Sequence, residues 1–219
     1  MHKTGSYAYL KFVRQDREKE VKVLQTLAGI RSPSNHTISG VRSWPVQGGT
    51  MISMPVAGGH LTSLTNPDEH LWPVALQLFE AVAFMHAHHV AHMDLKPGNI
   101  IIPPEGGRLS IIDFSVSIPG CTPDLVSTGV IGTEGYMAPE VRRGEQYWPM
   151  LADLWSCGQT LTELCARCKS SPHVPMLLGI ARELMNPDPT ARPTMTMVLE
   201  SLAHAQRGEG DVVVSPMLQ

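Results

Sequence analysis

Residues 90–102, Val90-Ala91-His92-Met93-Asp94-Leu95-Lys96-Pro97-Gly98-Asn99-Ile100-Ile101-Ile102, set four polar side chains between two apolar runs. The apolar flanks predict buried strands. Polar groups at buried strand ends need partners, so His92, Asp94, Lys96 and Asn99 have something to touch. A second acid, Asp113, follows in Ile111-Ile112-Asp113-Phe114-Ser115, fourteen positions after Asn99. Pro103-Pro104-Glu105-Gly106-Gly107 reads as a hairpin turn between them, which brings Asn99 and Asp113 side by side. An amide and a carboxylate together suit a hard divalent cation such as Mg²⁺, which takes oxygen ligands. Lys96 can neutralise phosphate oxygens, and Asp94 can accept a proton from a hydroxyl. Lys11, on an upstream strand, supplies another cation, which Glu20 on the following helix can orient. Phosphoryl transfer needs these parts: cations for the charge and a carboxylate to position the nucleophile.

Working outward, Tyr7 to Val13 is a β-type run. Val21, Leu24 and Leu27 then recur at helical spacing within 17–29, and Gly29 is a stop. Residues 37–44 (TISGVRSW) and 50–56 (TMISMPV) read as two strands around a turn at 45–49, and Ala57-Gly58-Gly59 punctuates the chain. Asn66-Pro67-x-Glu69 reads as a helix start, and 71–88 is apolar nearly all round, as in a buried helix. Pro73 is expected to open that helix or kink it. Strands at 99–102 and 108–114 flank the hairpin turn. A helix-poor stretch runs to Glu140, followed by helices at 154–168, 176–185 and 195–205. The order predicts an α+β fold in two unequal lobes: a partial N-terminal lobe at 1–56, a helical lobe at 57–205 and a tail at 206–219.

The 219 residues are enough for a self-supporting core. With 42% apolar and 17% charged residues, the chain reads as globular rather than disordered. A formal net charge of −3 gives no global pull on nucleic acid, and no apolar run approaches the ~18 residues of a membrane span. No nucleic-acid or membrane partner is therefore expected. The start, MHKTGSYAYLKF, lacks the apolar core of a secretory signal, and the chain has four cysteines. These point to a reducing compartment, cytoplasmic or nuclear. Cys165-x-x-Cys168 could be half of a zinc or redox site, but it reads better as two small apolar residues one helical turn apart. The histidines of MHAHHVAH (His86, His88, His89 and His92) read as a helix end rather than a metal tract.

From Tyr7 to about Ala205 the chain resembles a eukaryotic protein kinase. Ala8-Tyr9-Leu10-Lys11 resembles the third-strand V-A-I-K, and Glu20-x-x-x-Leu24 the helix that carries the lysine's partner. His92 to Asn99 resembles the catalytic loop H-R-D-L-K-P-x-N, and Asp113-Phe114-Ser115 stands where D-F-G is expected. Gly132-Thr133 through Ala138-Pro139-Glu140 resembles the end of the activation segment. Asp153-Leu154-Trp155-Ser156 and Asn186 to Pro193 resemble two later motifs of the helical lobe. The resemblance implies a kinase-like α+β fold, with Asp94 as catalytic base and Lys96 beside the transferring phosphate. It implies Asn99 and Asp113 as Mg²⁺ ligands, and Lys11 on the ATP phosphates, paired with Glu20. It places Ala8 and Ile101 around the adenine, Met54 to Val56 in the hinge, and Ser53 as gatekeeper. Glu140 and Arg192 would pair, Asp153 would tie down the catalytic-loop backbone, and Thr133 would support Lys96 and Asp94. The D-L-K-P-x-N form resembles serine/threonine rather than tyrosine kinases, so the implied partner is a protein hydroxyl.

Three departures stand against that pattern. Met93 replaces the arginine that receives activation-loop phosphate in the family, so phosphorylation of Ser127 or Thr128 is not expected to act through it. Ser115 replaces a glycine, which narrows backbone freedom beside Asp113. A G-x-G-x-x-G loop is expected about twenty residues before Lys11, yet ten residues precede it, with the single Gly5. The N-lobe sheet is therefore expected to be truncated, either because the sequence is a fragment or because the protein works without that lid. The span from Asp153 to Arg192 is also short for the family. The reading is a serine/threonine kinase. The alternative is a pseudokinase-like scaffold or inactive fragment that binds partners without efficient turnover, and phosphotransfer from Mg²⁺-ATP discriminates the two.

Overall fold

The computed structural model describes residues 8–55 and 58–206. Tyr7, Val56 and Ala57 lie outside the described residues, as does the expected tail beyond Gln206.

The first part is a three-stranded antiparallel sheet with one helix. Strand β1 (Ala8–Arg14) pairs with β3 (Gly49–Pro55), which pairs in turn with β2 (Arg42–Val46). Helix α1 (Lys19–Gly29) buries Val21, Val23, Leu24 and Leu27, while Val13 and Ile52 are the buried residues of the sheet. The strand expected at 37–44 is not one strand. Gly40 has φ +70° and interrupts the run. Thr37 instead bridges Ile111, and Ile38 donates its N–H to the Ile111 carbonyl at 3.0 Å. β2 begins at Arg42 and takes in Pro45, which lies on a sheet edge where its missing N–H costs no central ladder bond.

Beyond a short β4 (Gly59–His60), helix α2 (Pro67–Ala87) opens on Pro67 and runs through Pro73. Leu71, Val74, Leu78, Phe79, Ala81, Val82 and Met85 are all at most 1% exposed, because α2 packs between α4 (Pro149–Ala166) and α6 (Met195–Gln206). Each fully buried Leu or Phe there contributes roughly 1.5–3 kcal/mol. The predicted hairpin forms: β6 (Ile100–Ile102) pairs with β4 and with β7 (Ser110–Ile111), and the Gly106 N–H closes the turn onto the Pro103 carbonyl. β5 (Val90–Ala91) pairs with β8 (Ile118–Pro119) and thereby brackets the loop between β5 and β6.

Two helices start earlier than their apolar periodicity predicts. α4 begins at Pro149 instead of Leu154, and α5 (Val174–Leu184) has Pro175 in its first turn. Proline fits there because the first-turn N–H groups have no helical partner. A one-turn α3 (Pro139–Arg142) sits inside the stretch expected to be helix-poor. Its Glu140 receives two bonds from Arg192, at 2.7 and 2.9 Å, and both residues are 4% exposed. Arg192 also bonds the Asn186 and Leu151 carbonyls and lies over Trp155, so the buried cation is fully paired. One continuous apolar core runs from Val13 in the sheet to Leu202 in α6, and it ties the small sheet to the helices.

Candidate active site

The loop between β5 and β6 is fixed from beneath by a buried carboxylate. Asp153 on α4, 0% exposed, accepts the backbone N–H of His92 at 2.7 Å and of Met93 at 2.8 Å, and contacts His86 Nε2 at 3.1 Å. Met93 has φ +66°, a conformation side chains seldom adopt, so this clamp holds a turn that the sequence alone disfavours. His92 Nδ1 accepts the Asp94 N–H at 3.2 Å, which makes Nε2 the protonated nitrogen. Nε2–H donates to the Ile112 carbonyl at 3.0 Å. The imidazole, edge-on to Phe114, thereby joins the loop to the residue before Asp113.

Asp94 is held by three side chains. Thr133 Oγ1 donates to Oδ1 at 2.6 Å; Lys96 Nζ and Asn99 Nδ2 donate to Oδ2 at 2.8 and 2.9 Å. Asn99 Nδ2 also donates to the Asp94 carbonyl. Lys96 donates to Thr133 as well, so a residue 37 positions downstream completes the cluster. Three bonds to one carboxylate fix its rotamer and engage both of its oxygens as acceptors.

Across the cleft, Lys11 Nζ donates to Glu20 at 2.6 Å and to Asp113 at 2.9 Å. Glu20 is 3% exposed, so it is a buried partner and not a solvated helix residue. Burial opposes the Lys11 charge, but the Glu20 and Asp113 carboxylates outweigh it and raise its pKa. Burial likewise works against the Asp113 anion. Its bond to Lys11 and the nearby Ser115 outweigh that and hold its carboxyl below the usual range. Asp113, like Met93, has positive φ, at +63°.

Lys11, Glu20 and Asp113 line one end of a cavity of about 310 Å³, and Tyr9, Met54, Ile101 and Ile112 line the rest with Ile38, Pro55, Gly58, Gly59 and His60. Two of the expected positions, Ala8 and Ser53, do not line the cavity, while the strand neighbour of each does. Ala8 does not line the cavity; Tyr9 does. Side chains alternate along a strand, so Tyr9 shares the face of Lys11, while Ala8 shares the opposite face with Leu10 and Phe12. Ser53 pairs with Leu10 and faces that same outer side, whereas Met54 pairs with Tyr9 and faces the cavity. Val56, expected in the hinge, lies outside the described residues. Counting by twos from Lys11 would have found Tyr9. Gly58 does more than punctuate the chain: a Cβ there would come within 2.3 Å of the Ile102 carbonyl oxygen, so only glycine permits this crossing. Ile38 reaches the cavity from the loop before β2, and His60 from the two-residue β4.

The four histidines of the 86–92 tract all bond within the protein: His86 to Asp153, His88 to the Phe84 carbonyl, His89 to the Cys121 carbonyl, and His92 as above. Burial pushes the Cys165 thiol up to about 11, and Cys168, two residues past the end of α4 rather than inside the helix expected to reach it, donates to the Leu164 carbonyl.

The family model described as protein kinase domain matches residues 3–175. The chain belongs to the protein kinase family. Serine/threonine-protein kinase 36 of Pongo abelii is 31% identical over 156 residues, covering 67% of this chain and 12% of that protein. Putative CBL-interacting protein kinase 27 of Oryza sativa subsp. japonica is 45% identical over 92 residues, covering 41% of this chain and 22% of its own length. CBL-interacting protein kinase 16 of the same plant is 40% identical over 119 residues, 52% of this chain and 24% of that protein. The chain thus spans less than a quarter of the length of these relatives. Within the kinase domain, the small sheet supplies Lys11 and the helical part supplies Asp94, Lys96 and Asn99, and the cavity lies where the two meet.

Proposed function

We propose that this domain is a serine/threonine protein kinase that transfers the γ-phosphate of ATP to a protein hydroxyl. The observation that carries the reading is the Asp94 carboxylate, oriented by Lys96, Asn99 and Thr133, together with a mostly apolar cavity lined by the ion-paired Lys11, Glu20 and Asp113. Asp94 accepts the proton of the attacking hydroxyl, and its fixed rotamer points the acceptor before substrate arrives. Lys96 balances charge beside it, and Lys11, steadied by Glu20, holds the nucleotide phosphates. Ile101, Met54 and Tyr9 give the apolar walls for the base, in place of the smaller Ala8.

The donor set fits a divalent cation. Asn99 commits its amide nitrogen to Asp94, which leaves its carbonyl oxygen as a neutral donor, and Asp113 adds a carboxylate. Oxygen donors of this kind suit Mg²⁺, which when bound supplies charge neutralisation at the phosphates. The names of the relatives support the serine/threonine assignment. Four free cysteines support a reducing, cytoplasmic or nuclear setting.

The test is transfer of labelled phosphate from Mg²⁺-ATP to a generic basic protein, with Asp94→Asn beside the wild type. The substitution keeps size and shape but removes the base, so the rate should fall by about 10²–10⁴ while nucleotide still binds. Equal signal from the two proteins would sink the kinase reading and favour a scaffold that binds without turnover.

A further inference from the structure

His36 sits in the loop between α1 and β2 and is 4% exposed. Its Nε2 lies 2.9 Å from Glu80 Oε2 on α2. Its backbone carbonyl accepts the Ile111 N–H at 2.7 Å, two residues before Asp113. Its neighbour Asn35 donates through Nδ2 to the Leu27 and Ile30 carbonyls, both at 2.8 Å, and so caps the end of α1. Arg108, from the turn before β7, bonds the Asn35 and Pro33 carbonyls. One short loop therefore ties the helix that carries Glu20 to α2 and to the strand leading to Asp113.

The ring is incompletely satisfied. Nδ1 is buried and makes no hydrogen bond of ordinary geometry. A neutral imidazole tolerates this, with Nε2–H donating to Glu80 and Nδ1 as a bare lone pair. A protonated ring would place a second N–H in a dry site where the nearby Leu109 carbonyl makes no hydrogen bond of ordinary geometry with Nδ1. We propose that neutral His36 is a positioning residue for α1, and that its protonation loosens the loop and with it the hold of Glu20 on Lys11. Part of this inference, the consequence for phosphotransfer, rests on the kinase reading; the coupling to α1 does not.

The charged groups facing the ring are Glu80 from α2 and Arg108 from the hairpin turn, with the Leu109 carbonyl beside them. Burial disfavours the imidazolium most. Glu80 and the Leu109 carbonyl favour it and Arg108 opposes it, and the net effect lowers the pKa below 6.5. Below that pH the unfolded or opened loop binds more protons than the closed one. Closure is therefore complete above pH 6.5 and weakens as pH falls through the lowered pKa.

The experiment is hydrogen exchange of the full chain read at the α1 amides from pH 7.5 to 5.5, corrected for intrinsic exchange rates. Wild-type opening should increase by up to about tenfold per pH unit below 6.5, and His36→Gln, which keeps a donor for Glu80 but cannot titrate, should be flat. Identical pH dependence in both proteins, or none in the wild type, overturns the proposal. If His36→Gln does not fold, NMR titration of the wild-type imidazole decides. A midpoint below 6.5 with coincident shifts at Asn35 and α1 upholds it; a midpoint at or above 6.5, or titration without those shifts, overturns it. Neither readout needs phosphotransfer, so failure here is distinct from failure of the kinase reading.

Discussion

Met93 changes what the catalytic loop can respond to. Its backbone is pinned by Asp153, but its side chain, 5% exposed, enters a second apolar cluster with Cys121, Ala138, Val141 and Tyr147. Val116, Ile118, Leu125 and Ile131 of the segment after Asp113 pack on the same cluster. That segment thus meets the loop through a thioether among carbons, and an arginine there would have to bury its charge. Met93→Arg should destabilise the domain by about 3–5 kcal/mol, the usual cost of an uncompensated buried charge, read by denaturant unfolding. A loss under 1 kcal/mol would mean that the cluster opens easily enough for the guanidinium to reach water. By the same packing, phosphatase treatment of the wild type should leave activity unchanged.

At the scale of elements, α4 and α5 pack closely at Gly158. A Cβ at Gly158 would stand 2.8 Å from Met185 Cγ and 2.9 Å from the Ala181 carbonyl oxygen. The methionine can move, but the backbone oxygen can move only with its helix. Helix propensity alone favours replacing a mid-helix glycine by about 1 kcal/mol, and the overpacking cost of roughly 1–3 kcal/mol exceeds it for a branched side chain. Gly158→Val should therefore destabilise by about 1 kcal/mol net. Gly179 on α5 has nothing within 4 Å of its Cβ position, so Gly179→Ala should stabilise by up to about 1 kcal/mol. Thermal unfolding of the pair checks this: the same sign for both would show that propensity, not the interhelical contact, governs these helices.

For the whole molecule, acid should act in two stages. Above pH 6.5 the His36 contribution is complete, and it is lost as pH falls through the lowered pKa of that imidazole. Asp113 and Asp68 come next, both held below 3.8 in the folded state. Asp68 owes its shift mainly to N–H groups of Ser170 and Lys169, which join the start of α2 to the link between α4 and α5. A depressed carboxyl contributes above its unfolded pKa and loses that contribution as pH falls through the folded value. A melting temperature measured from pH 8 to 3 should therefore decline first below 6.5 and again below about 3.8. A single acid step near 3.8 would remove His36 from the account.

How much of this was legible follows from distance along the chain. Asp94, Lys96 and Asn99 lie in one loop, and a five-residue turn returns Asp113 to them, so chemistry and spacing alone suffice to group them. The buried helices at 71–88 and 195–205 were likewise readable, because their apolar repeats are local. Other features depend on partners the sequence does not order. Whether Ala8 or Tyr9 faces the cavity depends on which side of the sheet α1 covers. The strand at 42–46 depends on Ile111 capturing Thr37 and Ile38 across more than seventy positions. His36 meets Glu80 over 44 positions, with no local pattern to announce it. The sequence by itself determined the chemical groups, their order and the local periodicities, because these are set by covalent spacing and side-chain type. Only the tertiary structure decided which faces turn inward and which distant residues share a dry site, because those are set by packing against elements that the chain reaches much later.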